Sequence, residues 1–354
     1  MTENISASPA WRRANTDWFS AAHWGVFFHY MPTGYEKVPM TLTTDDWNRQ
    51  VDSVDVDRLA AGVAACGAGY VMFTVGQNTG FYCSPNPVYD ELVGHTPSRC
   101  SHRDLIFDLS NALARYGLHL FAYLPTAAPV GDTKACAALG FLPPWDASRI
   151  GLHGGTDTVI PWIDERLSVF QCNWENVVRV WAQRWGKNLA GWWLDGCYYA
   201  DKLLRHTEPP NWHSFASAFR AGNPDALLSF CPGIRIPVSP CSEYDDFTAG
   251  EIADKLPLNG VEPGVIPLRR FINGAQYHIL TYLGDNWGRG SQPRFPDELV
   301  VGYVKHLSSF GGVSTWDAPI EPDGNIPESF RKQLDAIGAG LKKNLVRRNS
   351  RKDA

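Results

Sequence analysis

The stretch that decides the fold is 174–196, WENVVRVWAQRWGKNLAGWWLDG. Its first half, Trp174–Trp185, has the spacing of an amphipathic helix, and Gly191–Leu194 is a short, strongly apolar strand candidate. Asp195 and Gly196 follow that strand directly. Because side chains alternate along a strand, at most one of Trp192 and Trp193 faces the inside of a barrel. A helix that leads into a buried strand is the repeating unit of a parallel α/β sheet.

The same alternation runs along the chain. Eight strand candidates are present: Trp24–His29, Tyr70–Val75, His119–Leu124, Gly191–Leu194, Leu227–Phe230, Asp246–Thr248, His278–Leu283 and Gly312–Thr315. Amphipathic stretches with helical spacing alternate with them, such as Val56–Cys66, Asp104–Tyr116, Trp174–Trp185, Asn211–Ala221, Asp297–Phe310 and Glu328–Lys343. Asp104 and Asp297 have the positions of N-cap or first-turn acids, and Gly117 and Gly222 those of helix-ending glycines.

Eight strand–helix repeats predict an α/β fold, a (β/α)8 TIM barrel. We expect one catalytic domain over residues 1–354, with 1–16 and 345–354 peripheral. An open doubly wound sheet is the alternative, but no G-x-G-x-x-G follows the first strand, which disfavours its nucleotide-binding form. Four long loops follow predicted strands, where barrels build their active sites: Met31–Val51, Pro125–Glu165, Cys231–Asp245 and Ile252–Ala275.

Composition excludes several classes of function. The chain has 32 Lys and Arg against 37 Asp and Glu, so no basic surface indicates nucleic acid. No segment approaches the about 18 apolar residues of a membrane span, and Met1–Arg13 lacks an apolar signal core. The eight cysteines are dispersed, which predicts a reducing, cytoplasmic setting without a disulfide framework. Homo-oligomerisation stays open.

Polar residues concentrate at the predicted strand ends. They are His29, Tyr30, Gln77, Asn78, Asp195, Glu251, Asp285, Trp287, Trp316 and Asp317. Carboxylates, amides and tryptophans on one rim match a neutral, polyhydroxylated ligand, and glycoside hydrolysis needs two carboxyl groups beside one bond. Asp195 is the strongest catalytic candidate, although an Asp at this place also caps helices. The ten histidines form no H-E-x-x-H, and C-x-x-C is absent, so we predict no metal and no cofactor.

Six segments carry short motifs in a fixed order along the chain. They are Asp17–Phe19 with Trp24–His29, Ala68–Thr74 with Gly80-Phe81, Trp193–Gly196, Asp246–Glu251, Asn286–Gly288 and Pro319–Glu328. In this order they resemble the α-L-fucosidases, glycoside hydrolase family 29. The Trp193–Gly196 segment is similar to that family's W-F-D-G, whose Asp is the nucleophile. The resemblance covers nearly the whole predicted barrel.

The chain also departs from the family pattern. Gln77-Asn78 stands where the family has a His-His pair that contacts fucose, and Tyr30 replaces a Trp. The family's C-terminal β-sandwich is not expected, since the chain ends shortly after the eighth predicted helix. These replacements predict that the terminal sugar differs from fucose.

By this resemblance the enzyme is a retaining exo-glycoside hydrolase that acts on a glycoside or oligosaccharide. Asp195 is the expected nucleophile and Glu251 the expected acid/base, with Glu243, Asp285 and Asp317 as rivals for the second role. The expected sugar contacts are His29, Tyr30, Gln77, Asn78, Trp193, Asp285, Trp287 and Trp316. The alternative function is a non-catalytic carbohydrate-binding pseudoenzyme on the same barrel.

Overall fold

The computed structural model describes residues 11–34, 41–141, 166–258 and 269–349. The strands are β1 (Trp24–Phe28), β2 (Tyr70–Thr74), β3 (His119–Pro125), β4 (Gly191–Asp195), β5 (Leu227–Phe230), β6 (Glu251–Ala253), β7 (Phe271–Ile272), β8 (Ala275–Gln276), β9 (His278–Tyr282) and β10 (Val313–Asp317). Eight of them form one curled sheet in the order β5-β4-β3-β2-β1-β10-β9-β6. Every pairing in this sheet is parallel, whereas β7 and β8 form a separate antiparallel hairpin.

Helices alternate with these strands. They are α1 (Asp17–Ala22), α2 (Thr44–Ser53), α3 (Val56–Cys66), α4 (Pro87–Val93), α5 (Leu105–Ala114), α6 (Thr133–Leu139), α7 (Ser168–Trp185), α8 (Ala200–Leu204), α9 (Trp212–Phe219), α10 (Asp297–Ser309) and α11 (Glu328–Asn349). This α/β arrangement is consistent with the predicted TIM-like barrel. Two predicted long loops contain helices, α2 and α6. Residues 35–40, 142–165 and 259–268 of the predicted loops lie outside the described residues.

The predicted helix ends have different physical causes. Asp104 is the N-cap of α5 and accepts a hydrogen bond from the Phe107 backbone N–H at 3.0 Å. Asp297 lies in the first turn of α10. Gly117 has a φ of 68°, as a helix-ending glycine should. Gly222 differs, because a Cβ there would lie 1.9 Å from the Ala182 carbonyl oxygen, so close packing against α7 requires this glycine.

The sheet separates two apolar layers. Inside it, Phe19 of α1 packs on Tyr70 and Phe121 with ring centroids 5.0 and 5.4 Å apart. Outside it, Trp192 packs against α9 and donates to the Phe219 carbonyl at 3.0 Å. Trp193 belongs to the inner layer. The prediction that at most one of the two tryptophans faces inward is therefore confirmed.

Two predicted strands are displaced along the chain. The predicted strand Asp246–Thr248 has backbone hydrogen bonds to Leu228 and Gln276 but forms an isolated bridge and not a continuous strand, and β6 begins at Glu251. The cause is the buried Asp246 carboxylate, which accepts from the Leu228 backbone N–H at 2.7 Å and so takes a donor that strand pairing would use. The last strand runs Val313–Asp317 rather than Gly312–Thr315, because the Gly312 N–H bonds to Leu307 at the end of α10.

No helix among the described residues is long and apolar enough to cross a membrane. All eight cysteines are free thiols in the structure.

Candidate active site

A small cavity of about 60 Å³ lies at the C-terminal ends of the strands. The side chains around it come from six strands or the residues that follow them. They are Phe27, His29, Gln77, Tyr123, Trp193, Asp195, Glu251, Leu280 and Trp287. Parallel strands end at one edge of a sheet, which brings residues far apart in sequence to one place.

Asp195 is the last residue of β4, and both of its carboxylate oxygens are held. Tyr123 donates its hydroxyl to Oδ2 at 2.5 Å, and the Gly196 backbone N–H donates to Oδ1 at 2.7 Å. The φ of Gly196 is 78°, a conformation that a side chain would strain. The sequence Asp-Gly therefore fixes the carboxylate orientation through the chain's own turn.

A line of hydrogen bonds extends from Asp195 to the end of β1. Tyr123 accepts from the Gln77 amide nitrogen at 2.7 Å, and the Gln77 amide oxygen lies 3.0 Å from His29 Nε2. Burial lowers the pKa of His29, so the ring is neutral and Nε2 is the donor to Gln77. Both ends of the Gln77 amide are thus used within the protein.

Glu251 starts β6 and faces Asp195. Its position depends on Gly250, where a Cβ would lie 2.0 Å from the His278 carbonyl oxygen. Burial, and then the negative charge of Asp195, raise the pKa of Glu251 to about 7. At neutral pH a large fraction of this carboxyl group therefore carries a proton.

Cys231 follows β5 and lies beside both carboxyl groups. Its Sγ donates to Glu251 Oε2 at 3.1 Å. One ligand atom each from Asp195, Cys231 and Glu251 lie within 4.8 Å of one another, a donor set that Zn²⁺ accepts in other proteins. Burial raises the pKa of the Cys231 thiol, so a metal ion would have to displace a firmly held proton there. The absence of a metal or cofactor in the working protein stays a prediction.

Aromatic and aliphatic side chains form the remaining walls. Trp193 stacks on Tyr123 at 5.5 Å with an angle of 15° between the rings, and its indole N–H donates to the Ala249 carbonyl. Trp287 is partly exposed and packs edge-on against Tyr282. Such faces suit the apolar C–H side of a sugar ring.

The structure does not bring every predicted contact residue to this cavity. Tyr30 is buried and donates to the Gln50 and Pro322 carbonyls. Trp316 is buried in the outer layer, against Tyr303 of α10. Asn78 and Asp285 are exposed on their loops. Thus His29, Gln77, Trp193 and Trp287 line the cavity with Asp195 and Glu251. The four other predicted contacts, Tyr30, Asn78, Asp285 and Trp316, do not line it.

The two other rivals for the acid/base role also lie apart. Glu243 is exposed and pairs with Arg205 at 3.3 Å, outside the cavity lining. Asp317 is fully buried, and its Oδ2 accepts from the Gly288 backbone N–H at 2.5 Å. Burial raises the pKa of Asp317 to about 8, and among the described residues its Oδ1 has no partner.

Three residues of the cavity lining, and Cys231 beside it, were absent from the sequence-based site. Phe27, Tyr123 and Leu280 lie within strands, where alternation predicts burial but not which side chain reaches the rim. Cys231 immediately follows a predicted strand, as Asp195 does, and this position was the available signal. A buried thiol resembles a small apolar side chain in sequence, which hides a polar role.

No family model and no curated protein matches this chain. Solved structures do. The α-L-fucosidase AlfC from Lactobacillus casei aligns with a TM-score of 0.61 at 17% identity, over 93% of this chain and 98% of AlfC. The family 107 endo-fucoidan hydrolase P5AFcnA aligns with a TM-score of 0.60 at 17% identity, over 91% of this chain and 92% of its own.

A second family 107 endo-fucoidan hydrolase, MfFcnA4, aligns with a TM-score of 0.65 at 17% identity, over 92% of this chain. That alignment covers 54% of MfFcnA4, so the chain spans about half the length of that hydrolase. At these identities the likeness concerns the fold. The chain has a fold similar to that of glycoside hydrolases whose names refer to fucosides and fucoidan.

Proposed function

We propose that this chain is a retaining exo-glycoside hydrolase, similar to the α-L-fucosidases, with Asp195 as nucleophile and Glu251 as acid/base. One observation carries the proposal: an oxygen of Asp195 lies within 4.8 Å of an oxygen of Glu251 across one cavity. Retaining enzymes hold the two carboxyl groups about 5–5.5 Å apart, whereas inverting enzymes need about 6.5–9.5 Å to seat a water. The short separation favours retention.

The two carboxyl groups have unlike surroundings, which suits unlike roles. Asp195 accepts from two donors that orient it. Glu251 has its pKa raised to about 7 by burial and by Asp195, so it carries a proton to donate. In the first step Asp195 attacks the anomeric carbon, the bond from that carbon to the leaving oxygen breaks, and Glu251 protonates the oxygen.

In the second step the roles of the groups change. Glu251, now a carboxylate, removes a proton from water, and the water oxygen attacks the anomeric carbon. The bond between that carbon and Asp195 breaks, which restores the Asp195 carboxylate and releases the sugar with its original configuration. Two inversions at one carbon give net retention.

The substrate we propose is a terminal sugar of a glycoside, bound with its apolar face on Trp193 and Trp287. Fucose is disfavoured in this proposal, because the Gln77 amide that replaces a family histidine is occupied by Tyr123 and His29.

We also propose that the sheet closes into a single-domain (β/α)8 barrel. The edge strand β5 accepts a backbone hydrogen bond at Leu228 from Asp246. The next residue, Phe247, pairs with Gln276 two residues before β9. These bonds place the segment Asp246-Phe247 between the two edges of the sheet and support closure.

The test is release of nitrophenol from a panel of aryl α- and β-glycosides of L- and D-sugars. Proton NMR of the first-formed sugar anomer then reports retention or inversion. Asp195→Asn should lower kcat by about two to three powers of ten or more. Glu175→Gln is a matched control, because Glu175 is buried between α7 and α9 and bonds to Ser214 at 2.7 Å, away from the cavity.

Glu251→Gln tests the acid/base role of Glu251 separately from the nucleophile. It should retain glycosylation with good leaving groups but lose the second step, and added azide should restore turnover as a glycosyl azide of retained configuration, because azide needs no general base. Near-normal activity of Asp195→Asn would refute the nucleophile. Sugar binding without turnover of any glycoside would favour the carbohydrate-binding alternative.

A further inference from the structure

Cys231 occupies a fixed place at the end of β5. Its backbone N–H donates to the Leu194 carbonyl at 2.7 Å, and its carbonyl accepts from the Cys197 N–H at 2.8 Å. These bonds join it to the residues on both sides of Asp195. The side chain is fully buried in the inner layer of the sheet.

The thiol makes the side-chain contact that holds Glu251. Its Sγ lies 3.1 Å from Glu251 Oε2. Among the described residues, no other hydrogen bond to the Glu251 carboxyl is present. We propose that Cys231 is a positioning residue for Glu251, its thiol orienting the carboxyl group and stabilising its charged form. The proposal rests on the acid/base role proposed above for Glu251.

Other groups that face Glu251 also affect its ionisation. Asp195 bears the negative charge that disfavours ionisation of Glu251. The hydroxyls of Tyr123 and Tyr198 lie near enough to interact with Glu251, and burial raises their pKa values, so both stay neutral. The thiol alone acts to lower the pKa of Glu251. The sulfur is a weak donor, and a serine hydroxyl in its place is a stronger one.

The pKa of Glu251 should therefore fall as the side chain at position 231 becomes a stronger hydrogen-bond donor. Cys231→Ser should move the basic limb of kcat/KM, where the acid loses its proton, about half a pH unit down. Cys231→Ala removes the donor and should move the limb up by a similar amount. A purely packing role predicts no shift with Ser, which has nearly the same shape.

Cys197→Ser is the matched control, because Cys197 is a neighbouring buried thiol that bonds to Thr126 and Leu194 rather than to Glu251. Its basic limb should coincide with that of the natural protein. The proposal would be overturned if the basic limb of kcat/KM fell at the same pH in the Cys231→Ser, Cys231→Ala and natural forms. It would also be overturned if Cys231→Ser moved that limb to higher pH.

A second measurement separates this proposal from the proposed function. Infrared difference spectra of the carboxyl band, with Glu251→Gln as the reference that lacks it, follow protonation of Glu251 without any substrate. If no glycoside is turned over but the band titrates in the order Ser below Cys below Ala, the hydrolase proposal fails and the Cys231 proposal stands. If activity is present but the band titrates identically in the natural protein, Cys231→Ser and Cys231→Ala, the hydrolase proposal stands and the Cys231 proposal fails.

Discussion

Replacing Asp195 by Asn tests the electrostatic coupling between the two carboxyl groups of the cavity. The substitution keeps the shape of the side chain and removes its negative charge. Since that charge helps raise the pKa of Glu251 to about 7, the pKa should fall in the variant. Two unit charges at 4.8 Å, the upper limit of the separation between these oxygens, interact by about 3.5 kcal/mol at an effective dielectric constant of about 20, equivalent to about 2.5 pKa units.

Water in the open cavity screens this interaction, so we expect a fall of about 1–2.5 units. Carbon-13 NMR of protein labelled at the glutamate carboxyl carbons measures it, with the Glu251 signal assigned by its loss in Glu251→Gln. Asp317→Asn, which removes a buried carboxyl group outside the cavity lining, should leave the Glu251 pKa in place. A change below about 0.3 units in Asp195→Asn would refute the coupling.

The same coupling has a kinetic meaning. In the proposed mechanism Asp195 becomes esterified by the sugar, and its charge then disappears as it does in the Asn variant. The pKa of Glu251 should fall at that moment, which turns a proton donor into a base. A glycosyl-enzyme trapped with a slow fluorinated glycoside should therefore show the lowered Glu251 pKa of Asp195→Asn.

Three further changes test other parts of the site. Tyr123→Phe should lower kcat/KM about 10- to 100-fold, the cost of one hydrogen bond to a charged group, while stacking on Trp193 keeps the unfolding temperature close to natural; undiminished activity would contradict the role of the hydroxyl. The natural protein should hydrolyse nitrophenyl α-L-fucoside poorly, and His at both 77 and 78 should not make it a good fucosidase, because Gln77 holds Tyr123 and Asn78 lies outside the cavity; efficient fucoside turnover by either form would count against this. Asp317 has a folded pKa of about 8, above its unfolded value of about 4, so its contribution to stability falls as pH rises from about 4 to about 8 and is constant above. Asp317→Asn should thus become more stable relative to the natural protein across that range, by up to about 1.4 kcal/mol per pH unit in chemical denaturation, and a pH-independent difference would contradict the shift.

The alternation of strands and helices was predictable because it depends on periodicity, which short segments carry by themselves. The helix Val56–Cys66 has the predicted limits. The sixth strand was not predictable in place, because Asp246 binds the Leu228 N–H through a contact between residues 18 positions apart in sequence. Nothing in a local pattern distinguishes that buried carboxylate from one at a strand end.

Within the site, the sequence indicated which residues follow the strands. It was a poorer guide to the direction in which their side chains point. Asp195 and Glu251 meet at one cavity, but Tyr30 turns outward to Pro322 and Trp316 packs on α10. The predicted last strand ended at Thr315, whereas β10 continues to Asp317, so Trp316 is a buried strand residue on the outer face of the sheet and not a residue of the rim. Side-chain direction there depends on the register with neighbouring strands.

The Gln77 amide between His29 and Tyr123 has a consequence for the working range of the protein. An amide does not titrate, and burial lowers the pKa of the His29 ring that bonds to it. The hydroxyl that supports Asp195 therefore meets the same unchanging partner in mildly acidic and in neutral solution. A histidine at position 77 would bring a group that ionises within this pH range, and the hydrogen bonds to the proposed nucleophile, Asp195, would then depend on pH. With Gln77 in place, the side chain that bonds directly to the Tyr123 hydroxyl does not change its charge with pH.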